Sequence, residues 1–481
     1  MLLWFVIGYL VISIGLGLMA AMRVHNSRDY IVAGRHLPMF MVFAMVFATW
    51  FGAETVLGIS ATFLTDGLSG LVSDPFGASL CLILFGLFFA RPLYRMNLLT
   101  IGDFYHNRYN RPVEMITSIC IALSYLGWVA AQITALGVVF NVLTDGGISQ
   151  SLGMVIGASV VLLYTLFGGM WSVAFTTAVQ MVIIVLGLLF IAVLVSDQAG
   201  GVATVVNHAS EAGKFEFWPA FSAAEWLGFI AAWITMGFGS IPQQDVFQRV
   251  NSARSEKIAV HGTIIGGSAY FVFAAVPLFL AYAATLIDPE MVSRLIEEDS
   301  QLILPTLIKE HLPLYAQIIF YGALLSVIMS TASGTLLAPS VTISENVIKN
   351  LVGPMDDRRF LWLTRVVVAS FAVLVTLYSL SSDTTIHHMV ENAYKVTLVS
   401  AFIPLVFGIY WKRATTQGAM LAIVLGLGSW ILMELFLPEG DSMWPPQLVG
   451  LLFAFVGMLA GSLLPQVYGR HHMTAAEESH I

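Results

Sequence analysis

Three charged side chains lie inside long apolar stretches of this chain, namely Glu54, Glu391 and Lys395. A charge at the centre of a bilayer costs roughly 2.5–3.5 kcal/mol even on a lenient insertion scale, so each is a functional candidate. Glu54 stands about one helical turn beyond Trp50, where it can meet a cationic solute or carry a proton. Glu391 and Lys395 are four apart, the favourable order for an ion pair on one helix face. The expectation is an intramembrane pair that opens and closes as the protein changes shape. Ser330 and Thr331 put two hydroxyls side by side. A hard cation such as sodium needs oxygens that replace its water, and adjacent hydroxyls with nearby carbonyls supply them. The same residue types also join membrane helices by hydrogen bonds. Tyr125 and Trp128, three apart, share a helix face. With Trp50 they offer π faces, each worth about 0.5–2 kcal/mol to an ammonium group; packing is the plainer use of such rings.

These residues sit in a chain of 481, of which 58% are hydrophobic and 10% charged. Soluble domains carry about 25% charged residues. The apolar runs are long enough for helices across the ~30 Å hydrocarbon core, and the alternation of barrel strands is missing. The composition therefore implies an all-α integral membrane protein with about 13 transmembrane helices. The expected spans are 1–22, 38–63, 75–94, 113–143, 151–168, 173–196, 222–242, 258–286, 314–348, 361–381, 387–411, 417–437 and 446–466. The first run has no basic leader and reads as a retained span. Residues 467–481 read as a polar cytoplasmic tail, with His471 and His472 solvated rather than metal-bound. Cys81 and Cys120 both fall in apolar runs and act as small apolar side chains.

Basic residues test the count. With the N-terminus outside and the C-terminus inside, 17 of the 21 Lys and Arg fall at or near the inner face. Lys214, Arg294 and Lys309 are the outer exceptions, and Lys395 is within a span. Acids gather on the opposite face: Asp288, Glu290, Glu297, Glu298, Asp299 and Glu310 share one loop.

Two spans carry helix breakers. The second contains Trp50-Phe51-Gly52-Ala53-Glu54, and the seventh contains Gly237-Phe238-Gly239-Ser240-Ile241-Pro242-Gln243. Gly and Pro leave backbone groups unpaired, which is tolerated at membrane depth only around a polar cavity. The breaks are five spans apart, as expected for two five-helix repeats of inverted topology around a central site. Gln243 follows the second break and joins the candidate solute contacts.

Other activities find little support. There is no GxxxxGK[ST] for an ATP-driven engine, no HExxH and no GxSxG. The pair His387-His388 reads as a wet interface. A channel fits poorly with broken helices around aromatic residues, and a sensor built on a transporter core lacks a signalling domain. No catalytic residue and no organic cofactor are expected.

The second-span Phe47–Gly58 stretch, the junction Gly168-Gly169-Met170-Trp171-Ser172, Ser240-Ile241-Pro242 with Phe247-Gln248-Arg249-Val250, and Met329-Ser330-Thr331-Ala332-Ser333 resemble the sodium–solute symporter family. The resemblance runs over nearly the whole chain, in the family's motif order. Leu87–Pro92, Tyr164–Gly169 and Leu302–Pro305 are most similar to its high-affinity choline transporter branch. The resemblance implies a LeuT-type core over 38–411, with repeats 38–196 and 222–411 flanked by helix 1–22 and helices in 417–466. It also implies one sodium site. Ser330 and Thr331 would give hydroxyls, and Ala48, Phe51 and Val327 backbone carbonyls.

Trp50 and Trp128 match positions of cage aromatics in the choline branch, whereas Gln243 replaces a further tryptophan there and admits a more polar zwitterion. Thr177 stands where many members have an aspartate, and Val327 lacks a hydroxyl that assists a second sodium in some. The expectation is a sodium-coupled symporter in the cell inner membrane. It moves one sodium per cycle with an amino acid or a quaternary-ammonium solute such as choline or betaine. Proton coupling through Glu54 is the alternative. One chain suffices among lipids, and nucleic acid has no part.

Overall fold

The computed structural model describes residues 2–382, 394–437 and 443–466. It is helical throughout, with one isolated bridge, Leu37 to Ala253, and no strand among the described residues. Helix α1 (Leu2–Ala21) turns Val6, Leu10 and Gly17 inward and Trp4, Val11 and Ile12 outward. A helix apolar on all sides belongs in lipid.

Helix α2 (Met39–Phe47) ends where Ala48 leaves helical geometry at φ −81°, ψ 9°. The Gly52 N–H then closes a tight turn onto the Trp50 carbonyl at 2.6 Å. The helical run α3 (Glu54–Arg95) starts after this turn. It bends at Asp74, whose φ of −139° and ψ of 124° are extended, just before Pro75.

Helix α4 (Arg111–Leu143) is capped by the Asn110 side chain, which accepts from the Val113 N–H at 3.1 Å, with Pro112 in its first turn. Helix α5 (Gln150–Gln198) joins two expected spans across a kink at Gly169, φ 50°. A Cβ on Gly169 would stand 2.3 Å from the Tyr30 carbonyl, so the kink requires glycine. Helices α6 (Ala223–Gly239) and α7 (Gln244–Asn251) meet at 44° around Pro242, the second expected break. Then follow α8 (Glu256–Ile287), α9 (Leu314–Val352), α10 (Asp357–Ser381), α11 (Tyr394–Tyr410), α12 (Thr416–Phe436) and α13 (Pro446–Leu463).

Among the described residues nine helices are long and apolar enough to cross a membrane, ten when α6 and α7 count as one bent span. The difference from the expected 13 lies in three places. Runs α3 and α5 each join two expected spans, and α11 is a shorter apolar helix.

The expected acidic loop is instead two short helices, Pro289–Glu298 and Ile303–His311. Met291, Val292 and Leu295 recur at helical spacing and turn inward while the acids face water. Helices Ser27–Val32, Ile101–Arg108 and Val202–Glu211 likewise replace stretches expected as loops.

The centre is α9, buried along nearly all of Phe320–Thr342 and packed against α4 and α5. Tyr9 of α1 shares a hydrogen bond with Ser326 at 2.6 Å, and the Tyr164 hydroxyl of α5 donates to the Met329 carbonyl at 3.0 Å. The hydroxyl-bearing stretch of α9 is thus held from behind while its other face meets the break between α2 and α3.

Candidate ion and substrate site

That break leaves carbonyls without helical partners, and α9 brings hydroxyls to them. Thr331 Oγ1 stands 3.2 Å from the Ala48 carbonyl and 3.4 Å from the Phe51 carbonyl. A hydroxyl has one proton, so it satisfies one carbonyl at a time and keeps its own lone pairs for a cation. One residue back, Ser330 Oγ donates to the Val327 carbonyl at 2.9 Å. All five residues expected from the sequence are fully buried, and two carbonyls of the break meet one hydroxyl of α9. Hydroxyl and carbonyl oxygens of this kind suit sodium.

The indole of Trp50 leaves the same turn on the other side. It stacks on Trp128, centroids 6.1 Å apart at 18°, and Trp128 stacks on Tyr125 at 5.8 Å and 18°. Tyr394 of α11 closes the cluster edge-on, 6.5 Å from Trp50 and 5.6 Å from Trp128, and accepts the Trp50 indole N–H at 2.8 Å. The ring faces lie against one another in this conformation. Gln243 joins from the second break: its amide donates to Ser124 at 2.9 Å and Thr397 at 3.3 Å.

Glu54 begins the second half of the broken span, at a helix N-terminus where negative charge is favoured. Its carboxylate accepts from Trp128 Nε1 at 3.1 Å and Gln132 Nε2 at 2.6 Å, while Gln132 Oε1 accepts the Ala53 N–H at 3.0 Å. It also reaches towards the Thr331 hydroxyl. A Cβ built on Gly52 would meet Glu54 Oε2 at 2.4 Å and Thr331 Oγ1 at 2.9 Å. Glycine here lets the carboxylate and the hydroxyl face one point.

One broken helix thus presents two carbonyls to the Thr331 hydroxyl on one side and the Trp50 ring to an aromatic stack on the other. Comparison with known proteins shows the family. The sequence model of the sodium:solute symporter family matches residues 30–426. The chain belongs to that family. Human high affinity choline transporter 1 is 26% identical over 442 residues, covering 88% of this chain and 74% of that protein. The sodium/proline symporter of Haemophilus influenzae is 25% identical over 478 residues, covering 93% and 92%. Among solved structures, a Na+-coupled sialic acid symporter in a substrate-bound, outward-open state superposes with a TM-score of 0.81 at 19% identity, over 96% of this chain and 97% of that one. A nucleobase-cation-symport-1 family transporter in a closed conformation gives 0.61 at 14% identity, over 94% and 98%. As a member of the sodium:solute symporter family, the chain is a sodium-coupled symporter of a small solute and not an enzyme. It is a multi-pass plasma-membrane protein.

Not every expectation meets its partner. Lys395 has Glu434 of α12 at 4.0 Å, and Glu391 lies outside the described residues, as do His387 and His388. Sequence reading missed Tyr394, next to Lys395, and Gln132, one turn beyond Trp128. It also missed three buried ionisable residues. Asp245 and Arg249 lie one turn apart on α7, where Arg249 had read as a loop residue at the inner face. Tyr125 donates to Asp245 at 2.5 Å, and Arg249 donates to the Met45 carbonyl at 2.5 Å. Asp74, outside the apolar run in the sequence, is folded inward by the bend in α3.

Proposed function

We propose that this symporter binds one sodium at Ala48, Phe51, Val327, Ser330 and Thr331 and a small nitrogen-bearing organic cation or zwitterion at Trp50, Tyr125, Trp128, Gln243 and Tyr394. The observation that carries the reading is the turn at 48–52, whose carbonyls meet Thr331 while its Trp50 ring enters the aromatic stack. Sodium pulling two carbonyls onto α9 therefore reorients the indole, and each ligand favours the conformation that the other needs. The curated relatives named above are choline and proline transporters, so choline, betaine-like solutes and proline are the first solutes to try.

The finer architecture belongs to the same proposal. It has about 13 spans with the N-terminus outside, a ten-helix core over 38–411 and peripheral helices at 1–22 and 417–466. The inverted repeats rock about the two breaks to give alternating access. One chain is enough, and no organic cofactor takes part. Lys395 pairs with Glu434 at the rim of this core.

Uptake into proteoliposomes tests the proposal, with labelled choline, glycine betaine, proline and an amino-acid mixture, with and without an inward sodium gradient. The reversal potential gives the stoichiometry. Uptake of one solute that requires sodium, is lost in Ser330→Ala/Thr331→Ala and carries one sodium per cycle is the expected result. Uptake driven by a proton gradient alone would move the coupling role to Glu54, and two sodium ions per cycle would refute the single site.

A further inference from the structure

Gln132 is fully buried on α4, one turn beyond Trp128, and its amide holds the broken span with both ends. Its Oε1 accepts the Ala53 N–H at 3.0 Å, and its Nε2 donates to Glu54 Oε2 at 2.6 Å. Ala53 stands at the start of a helix, where its N–H has no helical carbonyl to meet. One partner is a donor and the other an acid oxygen, so the network fixes which way the amide points. A protonated carboxyl keeps acceptor capacity, so the same clasp serves either charge state of Glu54.

The clasp lies directly beside the carbonyls proposed to bind the ion. The Phe51 carbonyl and the Ala53 N–H are separated along the chain by the two backbone torsions of Gly52. Holding the Ala53 N–H therefore limits where the Phe51 carbonyl can point, and that carbonyl is 3.4 Å from Thr331 Oγ1. Glycine is required at 52, because a Cβ would meet Glu54 Oε2 at 2.4 Å and Thr331 Oγ1 at 2.9 Å. Glycine also leaves the turn free to swing, so the turn needs an outside hold. Thr55 Oγ1 donates to the Trp50 carbonyl at 2.7 Å and steadies its first half. Gln132 steadies the second. Ligands ordered before their ion arrives do not charge that ordering to affinity.

We propose that Gln132 is a positioning residue of the sodium site: it holds no ion itself, but its amide sets the peptide between Gly52 and Ala53 so that the Phe51 carbonyl faces Thr331 before sodium binds. The inference rests on the sodium reading above and extends it to α4. The same helix carries Trp128, whose indole N–H reaches the other oxygen of Glu54 at 3.1 Å. The ion site and the aromatic stack are thus held to one helix through one acid.

The test is sodium binding to the purified protein in detergent, read by thermal unfolding in sodium against potassium at equal ionic strength. The wild type is expected to be stabilised by sodium and not by potassium, with the response weakened in Thr331→Ala. Gln132→Met keeps the length of the side chain and removes both hydrogen bonds, so its half-saturating sodium concentration should rise roughly ten-fold. The melting temperature in potassium records any plain loss of stability, whereas a residue that only supports the fold would leave the half-saturating concentration unmoved. The double variant Gln132→Glu/Glu54→Gln exchanges the two groups. The carboxylate then at 132 can accept both the Ala53 N–H and the amide N–H from 54, and the amide oxygen at 54 can accept from Trp128. Its sodium dependence should return most of the way to the wild-type value. Wild-type sodium dependence in Gln132→Met overturns the proposal, as does a loss that the exchange fails to recover. If Gln132→Met does not fold, the exchange decides: sodium dependence close to wild type supports the clasp, and a ten-fold loss or a failure to fold refutes it. A wild type that does not distinguish sodium from potassium, or a Thr331→Ala form that binds sodium as the wild type does, rejects the ion-site reading instead.

Discussion

The indole N–H of Trp128 donates to the carboxylate of Glu54 over 3.1 Å, deep inside the protein, so the aromatic wall and the buried acid are one unit. Trp128 does two jobs there. Its face stacks between Trp50 and Tyr125, and its edge holds Glu54 in place. Trp128→Phe keeps a ring and deletes the donor. A hydrogen bond to a charged group is worth about 1.5–3 kcal/mol, which corresponds to a rise in substrate KM of roughly ten-fold or more. Glu54→Gln alone should impair transport while leaving the protein folded. The double variant should lose less than the sum of the two, because both act through one contact. Uptake kinetics of the four forms at saturating sodium check this, and full additivity would place the two residues in separate roles.

Substitutions at Thr331 test the proposed ion site apart from solute binding. Thr331→Ser retains the hydroxyl against Ala48 and Phe51, whereas Thr331→Val retains the shape and removes the oxygen. The sodium concentration for half-maximal uptake should change little for serine and rise roughly ten-fold or more for valine, in line with the loss of one buried hydrogen-bonding group. Solute affinity measured at saturating sodium should be nearly unchanged in the serine form. A valine variant with wild-type sodium dependence would remove Thr331 from the ion site.

The sequence showed the two breaks because breakers are local: Gly52, Gly239 and Pro242 act on their own turn of helix. It showed the hydroxyl pair and three of the stacked rings for the same reason, since each is distinctive within a few residues. Asp74 was invisible because its burial depends on how α3 bends and on Tyr270 reaching it from α8, nearly 200 positions away in the chain. Arg249 looked like one more inner-face cation, yet it is fully buried beside Gly334, where a Cβ would stand 2.0 Å from its guanidinium. The short surface helices were hidden in polar stretches whose few apolar residues pack only once the spans beneath them are assembled.

Asp288 offers a pH test outside the membrane-spanning helices. Its carboxylate caps the helix Pro289–Glu298 by accepting the Met291 N–H at 2.9 Å, and it pairs with His311 at 2.9 Å. The backbone donor first, then His311, hold this carboxyl below its ordinary value. A group whose folded value is depressed contributes stability above its unfolded value and loses it as pH falls through the folded one. The stabilisation is therefore complete above about pH 4–5, the ordinary carboxylate range, and fades below it. Asp288→Ala should lower the melting temperature by no more than about 2 °C, since the pair is largely solvated. That difference should narrow as pH drops below the carboxylate range. A gap that is constant or widens there would show that the cap does not depend on ionisation.

Asp245 and Arg249, two opposite charges buried one turn apart on α7 without a direct bond, should behave as one unit. Asp245 sits in the first turn of α7 and Arg249 in the last, the order that the helix dipole favours. Tyr125 holds the acid and the Met45 carbonyl holds the guanidinium, so the pair ties the base of the cage to the end of α2. Removing one partner strands the other charge in a dry site, at a cost of about 3–5 kcal/mol. Removing both is far milder, because neither opposite charge is then left buried without the other. Asp245→Asn and Arg249→Gln should each lower the unfolding temperature in detergent, and the double variant should recover most of the loss. Transport by the recovered double variant then reads function separately from folding. If the pair is a link that must break as the site opens inward, its uptake rate should change while solute affinity at saturating sodium stays close to wild type. Single variants as stable as the wild type would show that the two charges are not buried together in the folded protein.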